Sequence, residues 1–255
     1  MDHLKRVRDE FARQADTFAA STAITDDRLT DRFRDAIGTA GDGKILDVAC
    51  GPGIITAALA GRAEAVTAFD ATPEMLKKAR QRCADAGLDN VLFEQGDAET
   101  MPFDDGTFDG VVNRLAIHHF SDPGRVLAEM VRVLRPGGLA VIADVVVSED
   151  SEEAALQNAI EIIRDPSHVR MLPANELDAA IAGAGLEMQS QSTWDKAREF
   201  GEWMGIVNDP QRVEPLRTVA GALANAGLTA GMGLSVRNGD IVFFHRWRLI
   251  TARKP

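Results

Sequence analysis

This 255-residue chain has no tyrosine, only two cysteines, and few aromatic residues of any kind, 5% in all. The first absence removes the phenol as a proton acceptor or ligand contact, leaving His, Asp, Glu, Lys, Cys or water for those roles. The second excludes a disulfide framework: Cys50 and Cys83 stand apart, without metal-ligand spacing, and no metal is expected. No apolar run approaches the ~20 residues that cross a bilayer, so no membrane span is expected. Basic charge is also short. Lys and Arg number 28 against 39 Asp and Glu, and the net charge of −11 disfavours nucleic acid or an anionic membrane as the main partner. The start, Met1-Asp2-His3-Leu4-Lys5-Arg6, is charged and does not read as a secretory signal, so a cytoplasmic location is expected. What remains is a globular chain, 26% charged and free of repeats, long enough for one well-buried domain.

What is present is alternation. Apolar runs predict strands at 44–49, 65–70, 91–95, 108–113 and 138–147, with helices between them at 53–61, 73–86 and 122–134. The helix at 73–86 opens with Thr72 as cap and Pro73 in its first turn, and Arg135-Pro136-Gly137-Gly138 ends the last one. Such a rhythm demands a mostly parallel sheet with helices on both faces, an α/β fold. Upstream, Val7, Phe11, Ala15 and Phe18 mark an amphipathic helix over 4–20, and a second helix fits 27–37. Beyond 148 the pattern loosens into helices at 151–163 and 173–184 and a strand at 186–193. A helical insertion follows over 195–228, interrupted at Asn208-Asp209-Pro210 and at Pro215, and then a long strand over 241–252.

Three carboxylates punctuate this alternation. Lys44-Ile45-Leu46-Asp47-Val48-Ala49-Cys50-Gly51-Pro52-Gly53 reads as a buried strand entering a tight glycine turn, where backbone can approach a bound small molecule. Asp47 beside that turn would repel a pyrophosphate. It suits the ammonium and sulfonium groups of S-adenosylmethionine instead. Asp70 ends the next apolar run, where an acidic residue commonly takes ribose hydroxyls, and Asp97 ends the third. Strand ends on one edge of a sheet share one crevice, so the three are expected to converge.

On these segments the chain resembles the class I S-adenosylmethionine-dependent methyltransferases, in the branch of the ubiquinone/menaquinone C-methyltransferases and many small-molecule methyltransferases. The matching stretches are LDVACGPG at 46–53, AFDATPEML at 68–76, GDAETMPFDDGTFDGVV at 96–112 and EMVRVLRPGG at 129–138. The resemblance implies a Rossmann-like doubly wound seven-stranded sheet, mostly parallel with an antiparallel last strand, plus N-terminal and C-terminal helical caps. It implies one domain over 1–255: an N-terminal helical lid at 1–40, a donor-binding core at 41–147, and acceptor-side helices and final strands at 148–255. It also implies donor contacts. Asp47, Gly51 and Gly53 would lie against the methionine part, Asp70 on the ribose, and Ala71 and Met75 beside the adenosine. Asp97 and Ala98 would meet the adenine, and Asn113 completes the set. One departure is visible, since Ala49 stands where the turn usually has its first glycine.

The segment Asn113-Arg114-Leu115-Ala116-Ile117-His118-His119-Phe120 should open onto the acceptor side. His118, with His119 behind it, is the leading base candidate, because an unperturbed imidazole titrates near neutrality. Structural packing and a backbone hydrogen bond are the competing explanation for both. The segment is not an Asn-Pro-Pro-aromatic motif, which disfavours amide or nucleobase-amine methylation. Arg114 reads as an ion-pair partner. His168 and Arg170, in Asp165-Pro166-Ser167-His168-Val169-Arg170, and the apolar Trp194, Trp203 and Met204 are candidates for the acceptor border or for plain structure. The expectation is methyl transfer to a small-molecule acceptor at O, N or C, with a homodimer left open. A tRNA or protein methyltransferase, or a donor-binding protein without turnover, are the alternatives, and a nucleotide-linked dehydrogenase is weakest because of Asp47.

Overall fold

The computed structural model describes residues 3–21 and 27–255; residues 1–2 and 22–26, which fall within the expected lid at 1–40, lie outside the described part. Two helices, α1 His3–Ala20 and α2 Asp27–Ile37, precede a sheet of eight strands. Its parallel half consists of β1 Lys44–Val48, β2 Ala65–Asp70, β3 Val91–Gln95, β4 Phe108–Arg114 and β5 Leu134–Val146, in the spatial order β3-β2-β1-β4-β5. Helices α3 Ile54–Ala60, α4 Pro73–Asp85 and α5 Pro123–Val133 make the crossovers. The strand order reverses at β1, which creates a crevice at the carboxyl ends of the strands.

β1 shows why these residues make a central strand. Ile45 packs on one face among Phe33 and Ile37 of α2 and Leu59 of α3. Leu46 and Val48 pack on the other face with Leu127 and Met130 of α5. Burial on both faces needs an apolar run without polar alternation, which is how 44–49 reads. Each such Ile or Leu contributes ~1.5–3 kcal/mol of burial.

The second half runs through α6 Ser151–Arg164, α7 Ala174–Gly183, β6 Glu187–Glu199, α8 Phe200–Val207, α9 Pro210–Asn225, β7 Ser235–Arg237 and β8 Asp240–Arg253. β8 lies antiparallel between β5 and β6, so the reversed strand is inside the sheet as expected. Several expectations need correction. The sheet has eight strands, because β7 pairs with β8 through Asn238 and Gly239, both with positive φ, the two-residue hairpin turn that Asn-Gly favours. β6 continues to Glu199, so the stretch 195–199 is strand and not helical insertion. Pro215 sits inside α9 rather than interrupting it. It removes one helical hydrogen bond, but Leu216 and Ala220 are buried in a cluster with Trp203, Ile241 and Phe243 that holds the helix in place. α5 ends at Val133, and the chain turns into β5 before the Pro136-Gly137 pair.

Candidate active site

The turn after β1 is left-handed at three positions: Ala49 at φ 54°, Gly51 at 55° and Gly53 at 75°. The two glycines adopt this without strain, whereas Ala49 does so at a cost of about 1 kcal/mol or more. The carboxyl ends of β1 to β3 open beside this turn onto a cavity of about 230 Å³. Asp47, Asp70 and Asp97 all line it, together with Gly51, Ala71, Met75 and Ala98. Asp47 is only 1% exposed and accepts a 2.6 Å hydrogen bond from the Thr56 hydroxyl. Burial pushes its carboxyl up to about 7, against the opposing Thr56 hydrogen bond and the charge of Arg114. Asp70 accepts from the Gly51 amide and the Thr72 amide, each at 2.8 Å, so it also fixes the turn. Burial raises its pKa, and those amides oppose the rise. Leu4, Val7, Phe11 and Phe18 of α1 close the cavity from the other side.

Phe11, Phe18, Leu115 and His119 belong to this cavity and to a second of about 70 Å³ behind it. The second is lined by polar groups drawn from several elements, among them His118, His168, Glu161, Asp165 and His245. His118, in a short 3-10 helix Ile117–His119, holds Asp144 of β5 through its Nδ1 at 2.5 Å. Burial pulls its pKa down, but the charge and hydrogen bond of Asp144 outweigh that, and it is raised above the ordinary imidazole value. The loop 165–170 docks onto the same turn, since the Val169 and Arg170 amides donate to the His118 carbonyl at 2.8 and 3.1 Å. His119 behaves oppositely: burial, then the nearby His118, brings it down to about 3. His168 falls to about 4 for the same two reasons. Ser167 donates its hydroxyl proton to Asp165 at 2.6 Å, so the 3.1 Å contact with His119 needs the imidazole Nδ1–H as donor. In both His118 and His119 the Nε2 is then the basic atom.

A sequence profile described as a methyltransferase domain matches residues 46–142, the stretch that builds the turn and the three carboxylate strand ends. The crystal structure of BH2331 from Bacillus halodurans C-125, a protein assigned to the methyltransferases, superposes with a TM-score of 0.83 at 30% identity, covering 89% of this chain and 98% of that one. The chain belongs to the S-adenosylmethionine-dependent methyltransferases. Among curated relatives, the uncharacterized methyltransferase YcgJ of Bacillus subtilis (strain 168) is 33% identical over 63% of this chain. That match spans 64% of YcgJ, slightly less than two thirds of its length. The 27-O-demethylrifamycin SV methyltransferase of Amycolatopsis mediterranei (strain S699) is 30% identical over 68% of this chain and 67% of its own. The methyl donor of the family is S-adenosylmethionine.

Two residues expected at the methyltransferase donor site do not border the cavity. Gly53 faces α4, where a Cβ would fall 2.7 Å from that of Ala79, so it is the close helix packing that requires glycine there. Asn113 is fully buried between strands, and its amide donates to the Val48 carbonyl at 2.9 Å. His118 borders only the small cavity, whereas His119 borders both. Arg114 lines the larger cavity near Asp47. Of the acceptor-side candidates, His168 and Trp203 line the small cavity. Arg170 is instead paired with Glu176 at 2.7 Å, Met204 is core, and Trp194 stacks on Trp247. Sequence reasoning missed Asp144, Asp165, Thr56 and Trp247. Asp144 did leave a signal, as the one carboxylate within the apolar run 139–147.

Proposed function

We propose that the chain moves the methyl group of S-adenosylmethionine to a small-molecule acceptor that reaches the donor through the neck shared by the two cavities. One observation carries this reading: Asp47 and Asp70, near the carboxyl ends of β1 and β2, and Asp97, just beyond the end of the neighbouring β3, line a single cavity. The name of the rifamycin methyltransferase supports a small-molecule acceptor, as does the net charge of −11, which is unsuited to nucleic acid. Among the described residues no helix is long and apolar enough to cross a membrane, in keeping with a cytoplasmic enzyme. The reading needs no second copy, because one chain supplies every wall residue named.

The sulfonium supplies an activated methyl carbon, and the protein's part is positioning, water exclusion and proton removal. α1 roofs the site. Phe11 meets the His119 ring edge-on with centroids 4.9 Å apart, and the His3 imidazole Nε2 lies 2.8 Å from the His119 carbonyl. His118 is the base in this reading, because Asp144 fixes its tautomer and raises its basicity, whereas His119 at about 3 is too weak. Calorimetry tests the donor assignment. S-adenosylmethionine and S-adenosylhomocysteine should bind and NAD should not, and Asp70→Asn should weaken the nucleosides at least tenfold in a folded protein. Tight NAD binding, or nucleoside affinity untouched by Asp70→Asn, would place the donor elsewhere.

A further inference from the structure

The larger cavity is rich in carboxylates and short of cations. Asp47, Asp70, Asp97 and Glu99 line it, and among the described residues Arg114 is the one Lys or Arg on its wall. Its two histidines are no substitute. The His3 Nε2 is spent on the His119 carbonyl at 2.8 Å, and burial keeps the His119 ring neutral. Nor does the glycine turn offer an anion site. The Cys50 amide donates to the Phe69 carbonyl at 3.1 Å, the Gly51 amide to Asp70 at 2.8 Å, and the Gly53 amide to the Cys50 carbonyl at 3.1 Å. Pro52 has no amide proton to give. The Thr56 amide and hydroxyl both serve Asp47.

Strand register sets Arg114 beside Asp47. Asp47 of β1 pairs with Val112 of β4, and Arg114 stands two residues further along β4. Paired residues of neighbouring strands share a face of the sheet, as do residues two apart on one strand. Arg114 and Asp47 therefore lie on one face, at the carboxyl ends of adjacent strands, and each feels the other's charge. Burial brings the guanidinium down to about 10, opposed by Asp47, so it remains a cation at neutral pH. A negative and a positive group held side by side match an α-amino acid, which carries its ammonium and carboxylate on one carbon. S-adenosylmethionine ends in such a group.

We propose that Arg114 takes the α-carboxylate of the methyl donor while Asp47 takes the ammonium on the same carbon. The pair then reads the donor as an amino acid and orients the chain that leads to the sulfonium. Without Arg114, the four carboxylates on the wall would repel that carboxylate, and a donor lacking it would bind at least as well. This deepens the methyltransferase reading and rests on it for the identity of the larger cavity.

The test is calorimetry with three nucleosides: S-adenosylmethionine, its decarboxylated analogue, which keeps the ammonium and the sulfonium, and 5′-methylthioadenosine, which lacks the amino acid altogether. The native protein should bind S-adenosylmethionine about tenfold or more tighter than the decarboxylated analogue, the reach of one charged hydrogen-bonded pair. Arg114→Gln should abolish that preference by weakening S-adenosylmethionine alone, with the other two nucleosides held within about threefold. Arg114→Lys, which keeps the charge but not the planar fork, should retain part of the preference. A native protein without the preference would overturn the proposal, whether or not any variant folds. So would an Arg114→Gln protein that keeps it, or one that weakens both sulfonium nucleosides equally, as loss of a charge partner for Asp47 alone would do. Asp70→Asn separates this from the donor reading, because all three nucleosides carry the ribose. If it weakens all three while Arg114→Gln does not tell them apart, only the assignment of Arg114 falls. If it weakens none, the donor lies elsewhere and the assignment falls with the reading.

Discussion

At the scale of single residues, the site depends on carboxylates whose ionisation is not free. Asp47 is poised near 7 by burial, so the ligand-free site is part-protonated at neutral pH. An ammonium group placed beside it favours the charged form and draws the pKa down. Binding of S-adenosylhomocysteine at pH 7 should therefore release on the order of half a proton. Calorimetry in buffers of different ionisation enthalpy reads this directly, and a binding enthalpy independent of buffer would remove Asp47 from the ammonium site. The His118–Asp144 pair makes a second prediction. Asp144 holds the imidazole pKa above its ordinary value against burial, so Asp144→Asn should drop it to or below 6.5. A histidine titration by NMR measures this, and an unmoved His118 would mean that the 2.5 Å contact does not set its basicity. Asp47, Asp70 and Asp97 were legible in the sequence because each stands where an apolar run breaks into a turn. Asp144 showed as the one carboxylate inside an apolar run, but its role did not, because only the fold shows that His118, 26 positions earlier, comes to rest on it. Gly53 misled for the converse reason: a motif glycine can serve helix packing as well as a ligand.

At the scale of elements, α1 does what its period of apolar residues suggested, with a more specific attachment than amphipathicity could show. Gln14 reaches Asp165 at 2.9 Å, and the Thr17 hydroxyl reaches the Ile206 carbonyl of α8 at 2.6 Å, so the helix is tied to the small-cavity wall and to the C-terminal cap. Its inner face lines the donor cavity. If α1 is a lid, its amides should exchange hydrogen more slowly once S-adenosylhomocysteine is bound, because opening then loses ligand contacts. Exchange that slows at the β1 turn but not in α1 would make α1 a fixed wall. The elements of 44–147 were readable because strands buried on both faces need unbroken apolar runs, and breakers separate them cleanly. Of the later elements, the helices at 151–163 and 173–184 and the strands at 186–193 and 241–252 were readable, while β7 and the end of β6 were not. β6 runs on from Asp195 to Glu199 because it is held by its register with β8 rather than by its own pattern. α9 keeps Pro215 because tertiary burial outweighs local propensity.

At the scale of the whole molecule, two sets of buried groups pull the stability in opposite directions as pH falls. His119, His168 and His245 have folded pKa values below the ordinary 6.5, burial being the largest cause for each. Below 6.5 the unfolded chain takes up their protons first, so each lowers stability by about 1.4 kcal/mol per pH unit until its folded pKa is reached. Asp47 is raised by burial to about 7, so here the folded chain takes the proton first, and acidification below that value adds stability until the unfolded carboxylate titrates near 3.8; Asp70, also raised by burial, acts in the same direction. Glu161 and Asp165, held low, act only beneath that window. His118 acts above it: its raised pKa gives stability that is complete below 6.5 and lost as pH rises through the folded value. In the ligand-free protein the carboxylate set opposes the histidine set between pH 7 and 5, so the unfolding free energy in urea should fall less steeply there than the histidines alone would make it. S-adenosylhomocysteine bound at Asp47 and Asp70 favours their ionised forms and removes the offset. With saturating nucleoside, the same measurement should fall by about 4 kcal/mol or more from pH 7 to pH 5, roughly 2 kcal/mol for each of His119 and His168. A pH slope that the nucleoside leaves unchanged would show that the strand-end carboxylates are not the groups that meet it.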